Sequence, residues 1–339
     1  MITRDRWGSF SLLARGLPAE VFAIVDACVA RLHPAVPLAL RRVRWLPIQA
    51  GERAKRFAEV ERLLEAAHGL SREGTLLAVG GGTVGDLATV AAHLHRRGVR
   101  LVLVPSTLLA AVDSSLGGKG AVNVSGAKNA AGVFHEPAEA WICPELFETL
   151  GLPQLRDGFV EALKMAACLD PVLWRSARAR HLSTRRIVRE GRRLKRAICE
   201  RDPLDRGERR LLNFGHSFGH ALEALSRHRL AHGAAVRLGV VCALDVGRAL
   251  GVTPDEVAAE VQAGFEPLGD EPIRVELARW LRRATARELR TLLSADKKTG
   301  ADGALRMVLL AGVGAPLVRP VATSVWSSLL PAWRGGRAT

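Results

Sequence analysis

The chain has 339 residues, of which 48% are hydrophobic and 24% are charged. This composition is typical of a globular protein long enough for two domains, and no apolar run reaches the length of a membrane span. The net charge of +15 would suit a nucleic-acid partner. Aromatic residues make up only 5% of the chain, however, and no zinc-finger, RNA-recognition or basic-zipper pattern is present, so we expect neither a nucleic-acid partner nor a membrane.

The N-terminus lacks the long apolar stretch and the cleavage site of a secretory signal peptide. Five cysteines are scattered along the chain without a CxxC pair. Both features predict reduced, mostly buried thiols in a cytoplasmic protein.

Strand-like and helix-like segments alternate in the first part of the chain. Residues 19–33 fit a strand or a helix, residues 51–64 predict an amphipathic helix, and residues 74–80, 100–105 and 138–142 predict strands. Strands that alternate with helices form a layer with a largely parallel sheet. We therefore expect a Rossmann-like α/β nucleotide-binding domain over residues 1–151.

A glycine-rich turn, GGGTVGD, follows the predicted strand at residues 74–80 and precedes a helix predicted from Leu87 to about His95. Glycines in such a turn let backbone N–H groups approach a pyrophosphate at the helix N-terminus. A tight loop that needs positive φ is the alternative interpretation. The polar stretch at residues 106–129 predicts a second binding loop and no core element.

Helical periodicity dominates from residue 152 onward, which predicts an all-α domain over residues 152–339. The predicted helices cover residues 155–182, 184–202, 209–228, 233–250 and 254–264, and residues 305–310 form a late strand-like run.

The run LLNFGHSFGH places His216 and His220 four residues apart, on one face of a helix. Such a pair can bind a metal, or it can simply pack or cap the helix. Gly215 and Gly219 cost a helix roughly 1 kcal/mol each, so we expect another helix or a ligand to approach closely there.

Glu161 and Lys164 lie one turn apart, either as a surface ion pair or as partly buried charges among apolar neighbours. Glu161, His216 and His232 together can supply two nitrogens and one oxygen to a catalytic zinc, with His220 left as an acid or base. A dinucleotide turn, a metal and several lysines in an arginine-rich chain suggest hydride chemistry on a hydroxylated anion.

From about Glu52 to Leu310 the chain resembles the 3-dehydroquinate synthase family of sugar phosphate cyclases, and nine short segments in the same order carry this resemblance. They are GE..K (51–55), GGGTVGD (80–86), RRGVRLVLVPSTLL (96–109), VDSSLGGK (112–119), AKN (127–129), EALK (161–164), LLNFGHSFGH (211–220), AHG (231–233) and DKK (296–298). The resemblance implies a dehydroquinate synthase-like fold.

The resemblance also implies site residues and cofactors. Zinc or cobalt would be bound by Glu161, His216 and His232. NAD would be bound by Gly81, Gly82, Asp86, Ser106, Thr107, Asp113, Lys128 and Thr149, with Glu52 and Lys55 at the adenosine end. The substrate would contact Asp113, Lys119, Asn129, Lys164, Lys195, Arg209, Asn213 and His220, with Lys297 or Lys298 nearby. Arg97 resembles an arginine that reaches the phosphate bound by a neighbouring subunit, which implies a homodimer.

The implied reaction converts 3-deoxy-D-arabino-heptulosonate 7-phosphate to 3-dehydroquinate, in the shikimate pathway to aromatic amino acids. It combines transient oxidation by NAD, phosphate elimination, re-reduction and aldol closure, which makes the enzyme a carbon–oxygen lyase acting on phosphates.

Several positions depart from the family pattern. Ala234 replaces the glutamate of HGE, which predicts a missing carboxylate near the metal. Gly120 follows Lys119 where threonine is usual, Ala127 replaces a glycine, and Ser106 replaces a threonine. These departures leave open a sister cyclase of the aminodehydroquinate or 2-deoxy-scyllo-inosose type, and a metal-dependent polyol dehydrogenase is a further alternative.

Overall fold

A computed structural model of the chain describes residues 3–178, 182–227, 229–295 and 305–336. They form two compact units, Met1–Gly158 and Phe159–Thr339. The elements of the first unit are β1 (Arg4–Trp7), α1 (Phe10–Arg15), β2 (Val21–Asp26), α2 (Ala27–Leu32), α3 (Ala35–Ala39), β3 (Arg44–Ile48), α4 (Phe57–Ala66), β4 (Thr75–Gly80), α5 (Gly82–Leu94), β5 (Arg100–Pro105), β6 (Lys119–Val124), β7 (Ala127–Phe134) and β8 (Glu139–Ile142).

Six strands form one sheet in the order β1-β8-β5-β4-β2-β3, and every pair in it is parallel. Alternate residues of β4 enter different cores: Leu76 packs with α4 and α5, whereas Leu77 and Val79 pack with α1. Because successive side chains of a strand point to opposite faces, a sheet covered on both faces needs apolar residues at every position. The predicted Rossmann-like layer is confirmed.

Three local predictions need correction in this unit. Residues 19–33, predicted as either a strand or a helix, contain both, because Asp26 ends β2 and accepts a hydrogen bond from the N–H of Cys28 at the start of α2. The helix predicted from Leu87 begins at Gly82, since the glycines themselves form its first turn. Residues 106–129 are not only a binding loop: Val112 and Leu116 are buried, and β6 pairs with β7 in an antiparallel hairpin.

The second unit is mainly helical. Its elements are α6 (Leu152–Leu169, which begins in the first unit), α7 (Pro171–Arg178), α8 (Thr184–Arg201), α9 (His216–Leu225), α10 (His232–Ala249), α11 (Asp255–Phe265), α12 (Ile273–Leu281), α13 (Ala286–Ala295), β9 (Leu305–Gly312), β10 (Ala315–Val321) and α14 (Thr323–Gly335). The strand-like run is β9, and β9 pairs with β10 in an antiparallel hairpin, which departs from a purely helical domain. Pro316 and Pro320 made β10 hard to recognise, since proline is tolerated only in edge strands.

Helix α10 is the central element of this unit, because 14 of its 18 residues are buried. A helix buried on nearly all sides needs apolar or paired residues around its whole circumference. In the part of the chain that the structure describes, no helix combines the length and hydropathy needed to cross a bilayer.

A buried carboxylate connects α10 to two later helices. Asp245 accepts two hydrogen bonds of 2.9 Å from Arg274 on α12 and one of 2.8 Å from Nε1 of Trp333 on α14. Its side chain is fully buried, so these bonds replace hydration that the carboxylate has lost.

Replacing Asp245 by asparagine is expected to lower the free energy of unfolding by about 1.5–3 kcal/mol, the usual contribution of hydrogen bonds to a charged group. Chemical denaturation measures this change. Asp255→Asn is the matched control, because Asp255 also pairs with an arginine but has an 80% exposed side chain and should lose less than about 1 kcal/mol. Equal losses of stability in the two variants would show that the buried hydrogen bonds of Asp245 stabilise the fold no more than an exposed ion pair does.

Candidate active site

The glycine-rich turn joins β4 to α5 in the first unit. Gly80 ends the strand, Gly81 caps the helix, and α5 begins at Gly82. A Cβ atom on Gly80 would lie 2.6 Å from the Cβ of Val84, and one on Gly81 would lie 3.1 Å from Cγ2 of Thr107. The first N–H groups of a helix have no acceptor within it and carry positive potential. A turn without side chains at this end of α5 therefore fits a pyrophosphate.

The residues that follow β5 form the other wall of this turn. The N–H of Ser106 donates to the carbonyl of Gly80 at 2.9 Å, and Oγ1 of Thr107 accepts from the N–H of Ala110 at 3.1 Å. Asp113 is half-buried in the next turn, Ala110–Ser114. A cleft beside the turn is lined in part by Gly80, Gly81, Gly85, Ala110, Ser114 and Ser115. The first unit thus places Gly81, Gly82, Ser106, Thr107 and Asp113 around one region.

A buried ammonium group connects three more of the predicted residues. Nζ of Lys55 lies 2.5 Å from Oδ2 of Asp86 and 2.5 Å from Oδ1 of Asn129. Nearby, Nδ2 of Asn123 donates to Oε1 of Glu52 at 2.8 Å. A buried charge needs such partners, so Lys55 holds the β6–β7 hairpin beside the second turn of α5. The sequence assigned Glu52, Lys55, Asp86 and Asn129 to the site, but it did not predict that Lys55 contacts Asp86 and Asn129.

The other predicted residues of the first unit lie at exposed positions. Oγ1 of Thr149 is 2.8 Å from Nε2 of His33. Lys119 and Lys128 belong to the hairpin strands. Arg97 follows Arg96 in a tight turn where both have positive φ, +64° and +47°, which non-glycine residues rarely adopt.

The departure at Gly120 has a structural cause. A Cβ atom there would lie 2.5 Å from the Cβ of Thr89 and 2.9 Å from the carbonyl oxygen of Asp86. In this chain β6 therefore packs so closely on α5 that threonine would not fit at position 120.

The second unit contains a cluster of metal-ligating side chains. Glu161 on α6, His216 at the start of α9 and His232 at the start of α10 each place one ligand atom within 4.8 Å of the others. Oε1 of Glu161 is 3.7 Å from Nε2 of His216 and 3.5 Å from Nε2 of His232. Two imidazole nitrogens and one carboxylate oxygen suit zinc or cobalt with positions open for substrate.

Glycines bring the two histidine-bearing helices together. Gly215 has φ +77°, and its Cβ would lie 2.8 Å from the carbonyl oxygen of Val236 on α10. A Cβ on Gly239 would overlap the carbonyl oxygen of Gly215 and lie 2.6 Å from the N–H nitrogen of Gly219. The close approach predicted at Gly215 and Gly219 is confirmed, and the approaching element is helix α10.

Each histidine of the cluster has a partner for its second ring nitrogen. Nδ1 of His216 is 3.3 Å from the carbonyl oxygen of Phe214, and Nδ1 of His232 is 3.2 Å from Oε1 of Glu223. Burial lowers the pKa of His232, but hydrogen bonds to Glu161 and Glu223 and their charges outweigh burial and raise that pKa to about 10. The negative charges of Glu161 and Glu223, which raise this pKa, also favour the binding of a metal cation at the cluster.

Glu223 was missed in the sequence, where Ala234 suggested that no carboxylate would support the metal ligands. The structure corrects this expectation, because a carboxylate on α9 reaches His232. Glu223 follows His216 by seven residues, or two helical turns, and this spacing on one face was the available signal.

Cationic and polar side chains complete the second unit's contribution. Lys164 forms a fully buried ion pair with Glu161, so the surface-pair alternative is wrong. Lys195 and Arg209 are also buried, Asn213 is half-buried, and His220 is exposed with its ring centre 5.3 Å from that of His216. Among the described residues the ligand cluster pairs His216 with His232, and His220 is outside it. The predicted Lys297 and Lys298 lie outside the described residues.

Two family models match consecutive parts of the chain. Residues 45–157 match 3-dehydroquinate synthase N-terminal, and residues 158–299 match 3-dehydroquinate synthase C-terminal. A 3-dehydroquinate synthase of Paracoccus denitrificans (strain Pd 1222) is 36% identical over 323 residues, which cover 91% of this chain and 87% of that protein.

Solved structures of sugar phosphate cyclases share the fold. A 2-deoxy-scyllo-inosose synthase complexed with carbaglucose-6-phosphate, NAD+ and Co2+ has a TM-score of 0.85 at 23% identity, covering 96% of this chain and 95% of that one. The 2-epi-5-epi-valiolone synthase of Streptomyces hygroscopicus subsp. jinggangensis 5008, with NAD+ and Zn2+ bound, has a TM-score of 0.85 at 25% identity, covering 98% and 97%.

Proposed function

The chain belongs to the 3-dehydroquinate synthase family, and from this membership we propose that it converts 3-deoxy-D-arabino-heptulosonate 7-phosphate to 3-dehydroquinate and phosphate. It acts as a carbon–oxygen lyase on a phosphate ester. The observation that carries the proposal is the cluster of Glu161, His216 and His232, whose donor atoms lie within 4.8 Å. The glycine-rich turn at the start of α5 supports the nucleotide requirement of the same reaction.

The cofactors are NAD and a divalent zinc or cobalt ion. When bound, they supply a hydride acceptor that is restored in each cycle and Lewis-acid polarisation of a substrate oxygen. Glu161, His216 and His232 hold the ion. Gly81, Gly82, Asp86, Ser106, Thr107, Asp113, Lys128 and Thr149 bind NAD, together with Glu52 and Lys55.

Buried cations of the second unit hold the substrate's anionic groups. Lys164, Lys195 and Arg209 are at most 5% exposed, and charged donors in a dry environment bind carboxylate and phosphate more strongly than exposed ones do. Asn213 adds a neutral amide. The family resemblance assigns Asp113, Lys119, Asn129 and Lys297 or Lys298 to the substrate as well. One substrate held in nearly fixed positions can then pass through every step.

His220 moves protons in this scheme. Its ring is exposed and close to His216, but it is outside the ligand cluster. His220→Ala is therefore expected to retain bound zinc while kcat falls by roughly 10²–10⁴, the usual contribution of a general acid or base. Zinc content and steady-state kinetics of one preparation measure both quantities.

The control for this variant is His68→Ala, which removes an exposed imidazole far along the chain from the cluster and should leave both quantities unchanged. Loss of zinc from His220→Ala would show that His220 is a ligand and would contradict the assigned role.

We further propose a cytoplasmic homodimer in which Arg97 acts across the subunit interface. Arg97 has an exposed side chain and a positive φ, and both features support a contact with a second subunit. Four of the five cysteines are buried thiols that form no disulfide, as is usual in reducing compartments.

A comparison of three possible substrates tests the proposed function. The fold shared with 2-deoxy-scyllo-inosose and 2-epi-5-epi-valiolone synthases makes a sister cyclase the second candidate. Purified protein with NAD and zinc is offered the heptulosonate phosphate, glucose 6-phosphate or glycerol. We expect phosphate release from the first compound only. Release from glucose 6-phosphate alone would assign a sister activity, and NADH accumulation with glycerol would assign a polyol dehydrogenase.

A further inference from the structure

We propose that Glu223 is a positioning residue for the metal site: it holds the ring of His232 so that Nε2 faces the other ligand atoms. This inference rests on the proposed metal-dependent function. The carboxylate of Glu223 lies 3.2 Å from Nδ1 of His232, while Nε2 of the same ring lies 3.5 Å from Oε1 of Glu161. The imidazole is thus held between two carboxylates, one on each ring nitrogen.

His232 needs such support more than His216 does. Nδ1 of His216 lies near the backbone carbonyl of Phe214, two residues earlier, so the local chain itself orients that ring. His232 is the first residue of α10, and its side chain is 30% exposed, against 13% for His216. A partly exposed ring at a helix start can rotate unless a neighbour fixes it.

The first turn of α10 contains no acidic residue that could contact Nδ1 of His232. The carboxylate of Glu223, on α9, makes this contact instead. Glu223 is buried, and an ionised carboxylate is costly to bury without a charged or hydrogen-bonding partner. Helix α9 therefore carries one ligand, His216, together with the residue that orients the other. The glycine contact between α9 and α10 keeps the two helices close.

The carboxylate of Glu223 affects metal binding by selecting one tautomer of His232. An imidazole that donates Nδ1–H to a carboxylate presents the Nε2 lone pair to a cation, and the carboxylate increases the basicity of the ring. Loss of such a partner typically weakens metal affinity by about 10–100-fold. Glu223 thus supports metal binding without touching the ion or the substrate.

Zinc affinity of folded variants tests the proposal. Dissociation constants are measured by competition with a chromophoric chelator for Glu223→Ala and Glu223→Gln, and the visible spectrum of the cobalt form reports ligand geometry. We expect Glu223→Ala to bind zinc about 10–100-fold more weakly with an altered cobalt spectrum. Glu223→Gln, which keeps an acceptor oxygen, should lose less zinc affinity.

Glu260→Ala is the matched control. Glu260 also accepts hydrogen bonds within this unit, from Trp174 and Arg178, and its replacement should leave zinc affinity and the cobalt spectrum unchanged.

Circular dichroism of the metal-free variants separates positioning from folding, and Glu223→Gln decides the matter if the alanine variant does not fold. Unchanged zinc affinity and spectrum in a folded Glu223 variant would overturn the proposal, as would failure of the wild-type chain to bind zinc. A wild-type chain that binds zinc but leaves the heptulosonate phosphate intact would refute the proposed function alone, because the affinity measurements contain no substrate.

Discussion

Replacing His216 by alanine is expected to abolish zinc binding and turnover together while the chain remains folded. His216 supplies one of three ligand atoms that lie within 4.8 Å of one another, and two remaining protein ligands are fewer than catalytic zinc sites use. The imidazole is half-buried at a helix start, so its loss removes little core packing. Metal analysis, steady-state activity and circular dichroism of the same preparation measure the three quantities.

His220→Ala is the matched comparison, since it removes the neighbouring imidazole of the same helix. We expect full zinc content in that variant and none in His216→Ala. A full complement of zinc in His216→Ala would refute the assignment of this residue as a ligand.

Replacing Gly239 by alanine is expected to destabilise the second unit strongly, although it adds only one methyl group. The new Cβ would overlap the carbonyl oxygen of Gly215 and lie 2.6 Å from the nitrogen of Gly219. Both are backbone atoms at the start of α9, so relief requires a shift of the helix and not of a side chain. Overpacking typically costs about 1–3 kcal/mol, and we expect a loss at or above the upper end. Denaturant unfolding measures the change.

The same variant should also bind zinc more weakly, because α9 and α10 begin with His216 and His232. Gly312→Ala adds the same methyl group to β9, where its nearest neighbour would be 3.8 Å away, and it should leave stability and zinc affinity nearly unchanged. Wild-type stability and affinity in Gly239→Ala would show that the glycine contact does not determine the position of the ligands.

Regular apolar patterns made much of the fold predictable. The apolar residues 101–105 lie between Arg100 and Ser106, and the strand predicted at residues 100–105 matches β5. The helix predicted at residues 184–202 corresponds to α8, Thr184–Arg201. In both segments the local pattern and the tertiary environment favour the same structure, so a short window of sequence is sufficient.

The candidate site was predictable where residue type limits the chemistry. A histidine four residues before another, a glutamate among apolar residues and lysines in an arginine-rich chain are unusual enough to be noticed individually. The sequence pattern does not show that these residues form one cluster, because Glu161 and His232 are 71 residues apart and belong to different helices.

Contacts between distant segments could not be predicted from the sequence pattern. The Lys55–Asp86–Asn129 network joins a turn, a helix and a hairpin, and nothing near Lys55 in the sequence marks its partners. Gly120 looked like a loss of a polar group until the close packing on Thr89 gave it a steric reason. Ala234 likewise suggested a missing carboxylate, whereas Glu223 supplies one from the preceding helix.

The most direct test of the proposed activity is the number of products formed per NAD molecule. The zinc-loaded protein is incubated with the heptulosonate phosphate and an amount of NAD equal to the amount of enzyme, and dehydroquinate, phosphate and NADH are followed together. We predict many turnovers per NAD, equal amounts of dehydroquinate and phosphate, and no accumulation of NADH, because the hydride returns to the substrate in every cycle. Absence of dehydroquinate, or NADH that rises in step with product, would contradict this account.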